Sequence, residues 1–178
     1  MIETIYFSKV KKNAIIPSKK TENAGYDIYS CFDEGYMLIK PHETVMIPTG
    51  IASACSTNYY FQLFERGSTG TKGIGQRCGV IDSGYRNEWF VPITNHNNKS
   101  LVIIKNNESK AKILEELFGT GQGFNELVNS VIFYPYEKAI CQAVLLPVPK
   151  VDVEEFDYET LKTFASERGM GCLGSSNK

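Results

Sequence analysis

The chain has 178 residues, 42% of them hydrophobic and 22% charged, with a formal net charge of −1. That length holds one domain with a real core and not two comfortable ones. The balance is that of an ordinary soluble globular protein: no basic excess argues for nucleic acid, and no apolar run is long enough to argue for a membrane.

Taken in chain order, the N-terminus reads Met-Ile-Glu-Thr-Ile-Tyr, without a basic segment followed by an apolar core. No secretory signal is expected, and a cytoplasmic location follows as the expectation. Tyr59–Glu65 reads as a strand with Tyr59, Phe61 and Leu63 on one face and Tyr60, Gln62 and Phe64 on the other. Trp89, Val91 and Ile93 alternate in the same way, and Ala139–Leu146 is a further apolar run. Turn signals separate them: Asn23-Ala24-Gly25, Lys40-Pro41, Pro48-Thr49-Gly50 and Asn95–Asn98. Short strands at this spacing predict an all-β barrel or sandwich.

Between Ser109 and Val131 the period changes. Ile113, Leu114, Leu117 and Phe118 make one helical stripe, and Phe124, Leu127, Val128 and Val131 make a second. Two short helices joined at Gly119–Gly123 are predicted, as a helical insertion over 106–134. Another short helix is predicted over Tyr158–Thr163. The Gly- and Ser-rich tail, 166–178, reads as a flexible arm.

The five cysteines, Cys31, Cys55, Cys78, Cys141 and Cys172, are odd in number and widely spaced. Reduced thiols are expected, not a disulfide framework or a zinc site. His42 and His96 are the only histidines, and both fall in predicted surface turns. A Ser-His-Asp triad or a histidine-ligated metal centre is therefore poorly supported.

Five short runs carry chemistry. Ala24-Gly25-Tyr26-Asp27-Ile28 delivers a carboxylate. Arg66-Gly67-Ser68-Thr69-Gly70-Thr71-Lys72 combines glycines, hydroxyls and a guanidinium, the donors that phosphate oxygens accept from, but lacks P-loop spacing. In Gly79-Val80-Ile81-Asp82-Ser83-Gly84-Tyr85-Arg86-Asn87-Glu88, an apolar stretch delivers Asp82 and then Tyr85 into a turn. A carboxylate so placed can orient a water and take its proton, and a phenol beside it can pack on a ring. Tyr136–Gln142 adds Glu137 and Gln142. Arg168-Gly169-Met170-Gly171-Cys172-Leu173-Gly174-Ser175-Ser176 contains a G-x-G-x-x-G spacing, but no helix follows it, which rejects a dinucleotide fold.

In this order the five runs resemble the five motifs of the trimeric deoxyuridine triphosphatases (dUTPases). The resemblance covers most of the chain outside the insertion. It implies a single domain over 1–178: an all-β, jelly-roll-like barrel carrying the insertion and a C-terminal lid. It implies a homotrimer with three shared sites, in which the first, second and fourth motifs come from one subunit, the third from a second and the fifth from the last. The implied reaction is hydrolysis of dUTP to dUMP and pyrophosphate, by attack of a water held by Asp82 on the α-phosphorus. Tyr85 would lie against the deoxyribose. The hairpin backbone entering the third motif, at Gly79, Val80 and Ile81, would pair with uracil. Arg66, Gly67, Ser68, Gln142 and Arg168 would hold the phosphates, with Leu173, Gly174, Ser175 and Ser176 in the lid. Asp27 would act through water on a magnesium ion bound to the triphosphate.

Departures from the family pattern are specific. Gly67-Ser68 stands for the usual Ser-Gly, Asn87 for a glycine, Lys138-Ala139 for Arg-Ile, and Leu173 for the aromatic that stacks on uracil. The insertion could cap the barrel end or bind a regulatory protein. A dCTP deaminase on the same fold is the nearest other enzyme, and Asp82-x-x-Tyr85 favours phosphorus over the base. A non-catalytic nucleotide sensor is the reading from another class, and the intact Asp82 argues against it.

Overall fold

The computed structural model describes residues 3–119 and 127–171. They fall into two compact units, Met1–Val148 and Pro149–Lys178. The first unit runs β1 (Tyr6–Lys9), β2 (Tyr26–Ile28), β3 (Tyr36–Ile39), β4 (Thr44–Pro48), β5 (Ile51–Ala54), β6 (Tyr59–Phe64), α1 (Gly67–Gly70), β7 (Ile74–Gln76), β8 (Val80–Ile81), β9 (Phe90–Asn95), β10 (Ser100–Ile104), α2 (Lys110–Phe118), β11 (Val131–Pro135) and β12 (Cys141–Pro147). Among the described residues these strands form the sheets β2-β12-β6-β8, β4-β9-β7, β11-β10-β3 and β1-β5. The β10–β11 pair is parallel and β10–β3 is antiparallel. The all-β barrel expected from the strand spacing is the architecture observed.

The alternation read in the sequence places the core. Phe61 and Leu63 of β6 point inward and are buried, while Phe64 is exposed. Trp89, Val91 and Ile93 are fully buried. Trp89 stacks edge-on against Phe61 (centroids 5.2 Å apart) and Phe7 (5.7 Å). Such pairs add about 0.5–1.5 kcal/mol each beyond burial. His42 and His96 are both exposed, as expected from their turns. No helix among the described residues is long and apolar enough to cross a membrane.

The insertion departs from its prediction in one respect. Helix α2 forms where the first stripe predicted it, with the Ser109 hydroxyl accepting from the Lys112 amide at its start. Val131, assigned above to a second helical stripe, instead opens strand β11, and Val131–Pro135 pairs residue by residue with Ser100–Ile104. The helical assignment over 106–134 is therefore corrected for 131–134. Apolar residues at i, i+3, i+4 and i+7 also suit a helix turn running into a strand, and the pairing with β10 decides between them. Phe124 lies outside the described residues. Ile113, Leu114 and Leu127 pack with Val102, Ile104 and Val131 into a second core on the face of β10 turned away from the first. Ile113 and Leu114 of the stripe are thus covered within their own chain, while Phe118 stays 41% exposed.

Leu114→Ala is expected to lower the unfolding free energy by about 2–5 kcal/mol, the range for truncating a buried leucine, as measured by urea unfolding. A pH effect also follows from burial. Burial pushes the Cys31 and Cys141 thiols above their ordinary 9.0 and the Tyr134 phenol above 10.0. The native state thus favours their neutral forms. Their contribution is fully present below pH 9 and is lost as pH rises past the unfolded values. The unfolding free energy from urea titration is expected to fall above pH 9, with a limiting slope of about 1.4 kcal/mol per pH unit for each group.

Candidate active site

Strand β12 lies between β2 and β6, and its register assembles a cleft. Gln142 stands opposite Asp27 on one side and opposite Phe64 on the other, two residues before Arg66. The open cleft, about 580 Å³, is lined by Glu22, Asn23, Ala24, Gly25, Asp27, Arg66, Gly67, Ser68 and Gln142. Three runs distant in sequence are thereby brought to one place.

Arg66 is held on several sides. Its Nε lies 3.0 Å from Asp27 Oδ1 and its Nη2 donates to Asp27 Oδ2 at 3.5 Å. Its Nη1 donates to the Ala139 carbonyl at 3.1 Å and to Ser68 Oγ at 3.3 Å. The Tyr134 hydroxyl donates to the same Ala139 carbonyl at 2.6 Å, from a buried position. A planar guanidinium fixed this way presents its remaining surface in one orientation. Buried Thr69 shapes the turn below it: its hydroxyl donates to the Arg66 carbonyl and accepts from the Arg66 amide. The Gly67 and Ser68 amides open a helical turn, where no intrahelical acceptor exists for them. Gln142 donates from Nε2 to the Glu65 carbonyl at 2.9 Å. Gly25 is required beneath it, because a Cβ there would come within 2.4 Å of Gln142 Oε1. Glu137 does not face the cleft group; it accepts from the Asn106 amide.

Asp82 and Tyr85 are not among the residues lining this cleft. They follow β8, which pairs with β6 through Phe61↔Ile81 and Gln62↔Val80. Asp82 is exposed, its carbonyl accepts from the Tyr85 amide at 3.1 Å, and the Tyr85 hydroxyl donates to the Glu88 carbonyl. The Glu88 carboxylate accepts from the Gly50 amide, anchoring the far end of the turn. Gly79 has φ +129°, a conformation closed to other residues, and its carbonyl accepts from the Leu63 amide. Val80 before the turn and Tyr85 within it are both exposed, Val80 to 60%.

The second unit contains α3 (Tyr158–Leu161), inside the predicted 158–163 range and capped by the Asp157 carboxylate. Phe156 and Phe164 pack on each other at 5.5 Å. Arg168 donates from Nε to the Gly171 carbonyl, and Gly169 takes φ +51°. Leu173, Gly174, Ser175 and Ser176 lie outside the described residues.

Sequence reasoning missed Glu65, Gln76, Tyr134 and the Ala139 carbonyl. The Ala139 carbonyl and Glu65 meet Arg66 and Gln142 from more than 70 positions away, while Gln76 and Tyr134 act on nearby carbonyls through turns that no residue type marks.

The dUTPase family model matches residues 11–119. The chain is 32% identical over 174 residues to the deoxyuridine 5'-triphosphate nucleotidohydrolase of Nautilia profundicola, covering 96% of each protein. It is 33% identical over 103 residues to that of Leptospira interrogans, 56% of this chain and 70% of that protein. Among solved structures, the Staphylococcus bacteriophage 80alpha dUTPase with dUpNHpp superposes with a TM-score of 0.69 at 22% identity, over 97% of this chain and 98% of that one. A dUTPase mutant from phage phi11 of S. aureus, described with a structural Mg(II) ion, superposes at 0.62 with 19% identity, over 86% of this chain and 97% of that one. The chain belongs to the dUTPase family, and its activity is that of a dUTP diphosphatase.

The Arg66–Asp27 pair can be tested directly. Arg66 is 28% and Asp27 36% exposed, so Asp27→Ala is expected to cost about 1 kcal/mol of stability. Asp27→Asn, which keeps an acceptor oxygen for the guanidinium, is expected to cost less. Urea unfolding of both variants measures the difference.

Proposed function

We propose that the chain hydrolyses dUTP to dUMP and pyrophosphate at sites shared between subunits of a homotrimer. The observation that carries this reading is the division of labour within one chain. The cleft gathers Asp27, Arg66, Gly67, Ser68 and Gln142, while Asp82 and Tyr85 stand on an exposed turn outside it. A carboxylate and a phenol on an exposed turn, outside the cleft that gathers the phosphate donors, suit a site completed by a second copy.

In this reading the triphosphate lies in the cleft. Arg66 is already oriented by Asp27 and Ala139, so it meets phosphate oxygens without reorganising. Ser68, the Gly67 and Ser68 amides and the Gln142 amide group add donors. From a neighbouring subunit, Asp82 takes the proton of a water that attacks the α-phosphorus in line. The bond from phosphorus to the bridging oxygen breaks, and pyrophosphate leaves with the electron pair. Tyr85 packs against the deoxyribose, and the backbone at Gly79, Val80 and Ile81 reads the uracil edge. Arg168 of the remaining subunit, a planar and always-charged fork, reaches the terminal phosphate.

The donors of the cleft, Asp27, Glu22, Ser68 and Gln142, are oxygen ligands of the kind magnesium accepts. Among the described residues no group of three His, Cys, Asp or Glu side chains could hold a metal alone. A magnesium ion carried by the triphosphate would be met by Asp27 through water and would supply neutralisation of phosphate charge. The burial of Ile113, Leu114 and Leu127 favours a capping role for the insertion, and among the described residues α2 offers a regulatory protein Glu115, Glu116 and Phe118 on its exposed side.

Pyrophosphate release from dUTP, dTTP, dCTP and UTP with magnesium tests the reading. Selectivity for dUTP is expected, with a loss of about 10²–10⁴-fold in Asp82→Asn, the range for removing a general base. Mixing Asp82→Asn with Arg66→Ala subunits is expected to restore activity to sites that draw one intact motif from each. Ammonia release from dCTP would favour a deaminase, and absence of recovery on mixing would sink the shared site.

A further inference from the structure

We infer that Glu65 and Gln76 are positioning residues, a two-link brace that fixes the backbone bend beside Asp82 and thereby sets how strictly the base is selected. The inference rests on the proposed reading of uracil by the hairpin backbone.

The bend at 77–79 joins β7 to β8 and is unusual in conformation. Cys78 has φ +58° and Gly79 φ +129°, two successive residues on the left-handed side. A non-glycine residue there stays only where its surroundings hold it. The ends of the bend are tied to neighbouring strands: the Arg77 amide donates to the Pro92 carbonyl at 2.9 Å, and the Leu63 amide donates to the Gly79 carbonyl at 2.8 Å. Its middle is tied by one side chain. Gln76 Nε2 donates to the Arg77 carbonyl at 2.6 Å and to the Cys78 carbonyl at 3.0 Å. Only the amide nitrogen can satisfy two acceptors at once, which fixes the orientation of the Gln76 amide.

Gln76 is tied in turn. Its backbone amide donates to Glu65 Oε1 at 3.2 Å, an N–H held by a charged acceptor. Glu65 immediately precedes Arg66, and its own carbonyl accepts from Gln142. One acidic residue at the end of β6 therefore connects the phosphate cleft to the hairpin that carries Asp82. Main-chain recognition has no side chain to adjust, so its precision is that of the backbone. A brace on the 77–79 carbonyls is then a specificity device. With sites shared between subunits, it also ties Arg66 of one site to the hairpin serving the next.

The test uses Gln76→Met, Gln76→Glu, Glu65→Ala and Glu65→Gln in the full chain. Three quantities are read: kcat and KM for dUTP, the kcat/KM ratio of dUTP over dCTP and dTTP, and amide hydrogen exchange at Cys78, Gly79 and Val80. Gln76→Met is expected to raise KM for dUTP by about fivefold, the scale of one lost hydrogen bond, with kcat nearly unchanged. The selectivity ratio is expected to fall by a similar factor and exchange at the bend to accelerate. Gln76→Glu, which sets a carboxylate against two carbonyls, is expected to exceed it. Glu65→Ala is expected to follow the same direction, and Glu65→Gln, which keeps an acceptor oxygen, to recover most of the loss. Unchanged exchange in Gln76→Met overturns the brace. Faster exchange with unchanged KM and selectivity overturns its role in base selection. An inactive wild type would instead refute the proposed function and the selection claim with it, and exchange would still decide the brace.

Discussion

The register of β12 is the constraint on which the site depends. This strand pairs with β2 and β6 at once, so Gln142 faces Asp27 on one side and the approach to Arg66 on the other. Side chains alternate with a period of two, so a slip by one residue would turn Gln142 to the opposite face and bury a polar amide. Buried Cys141 and Ala143 flank it and oppose that slip, since both would then be driven outward. The hydrophobic pattern of the strand thus sets the position of its one polar member.

Arg66 is the second element of this arrangement. Asp27, Ser68 and the Ala139 carbonyl each come from a different part of the chain and each takes part of one guanidinium. Tyr134 adds a hydroxyl on the far side of the same carbonyl. A cation held on several sides loses little further freedom when an anion arrives, which is the physical content of preorganisation. The turn at Thr69 serves the same end by closing the backbone around Arg66.

The insertion adds a helix and a parallel strand without disturbing that arrangement. Its apolar residues meet the outer face of β10, whose inner face serves the barrel core: Val102 and Ile104 face one way, Leu101 and Ile103 the other. A central strand buried on both faces needs a continuous apolar run, and Leu101–Ile104 supplies it. The cover on its second face, from Ile113, Leu114, Leu127 and Val131, is visible only in the tertiary structure.

Much of the fold was legible because strand alternation and turn residues are local signals. The inward faces of β6 and β9, the helix from Lys110 and the short helix near Tyr158 all follow from spacing alone. The motif residues were legible as chemical types, through glycines, hydroxyls and charges in short runs. Which of them share a cleft was decided by strand register, which joins residues as distant as Asp27 and Gln142. Val131 shows the limit most clearly, since its spacing suits a helix and its pairing with β10 makes it a strand. The bonds that Glu65 accepts from Gln76 and Gln142 belong to the same category. The sequence determined which groups the chain carries and which faces it buries; only the tertiary structure decided which groups meet, because hydrogen bonds between distant strands leave no local trace.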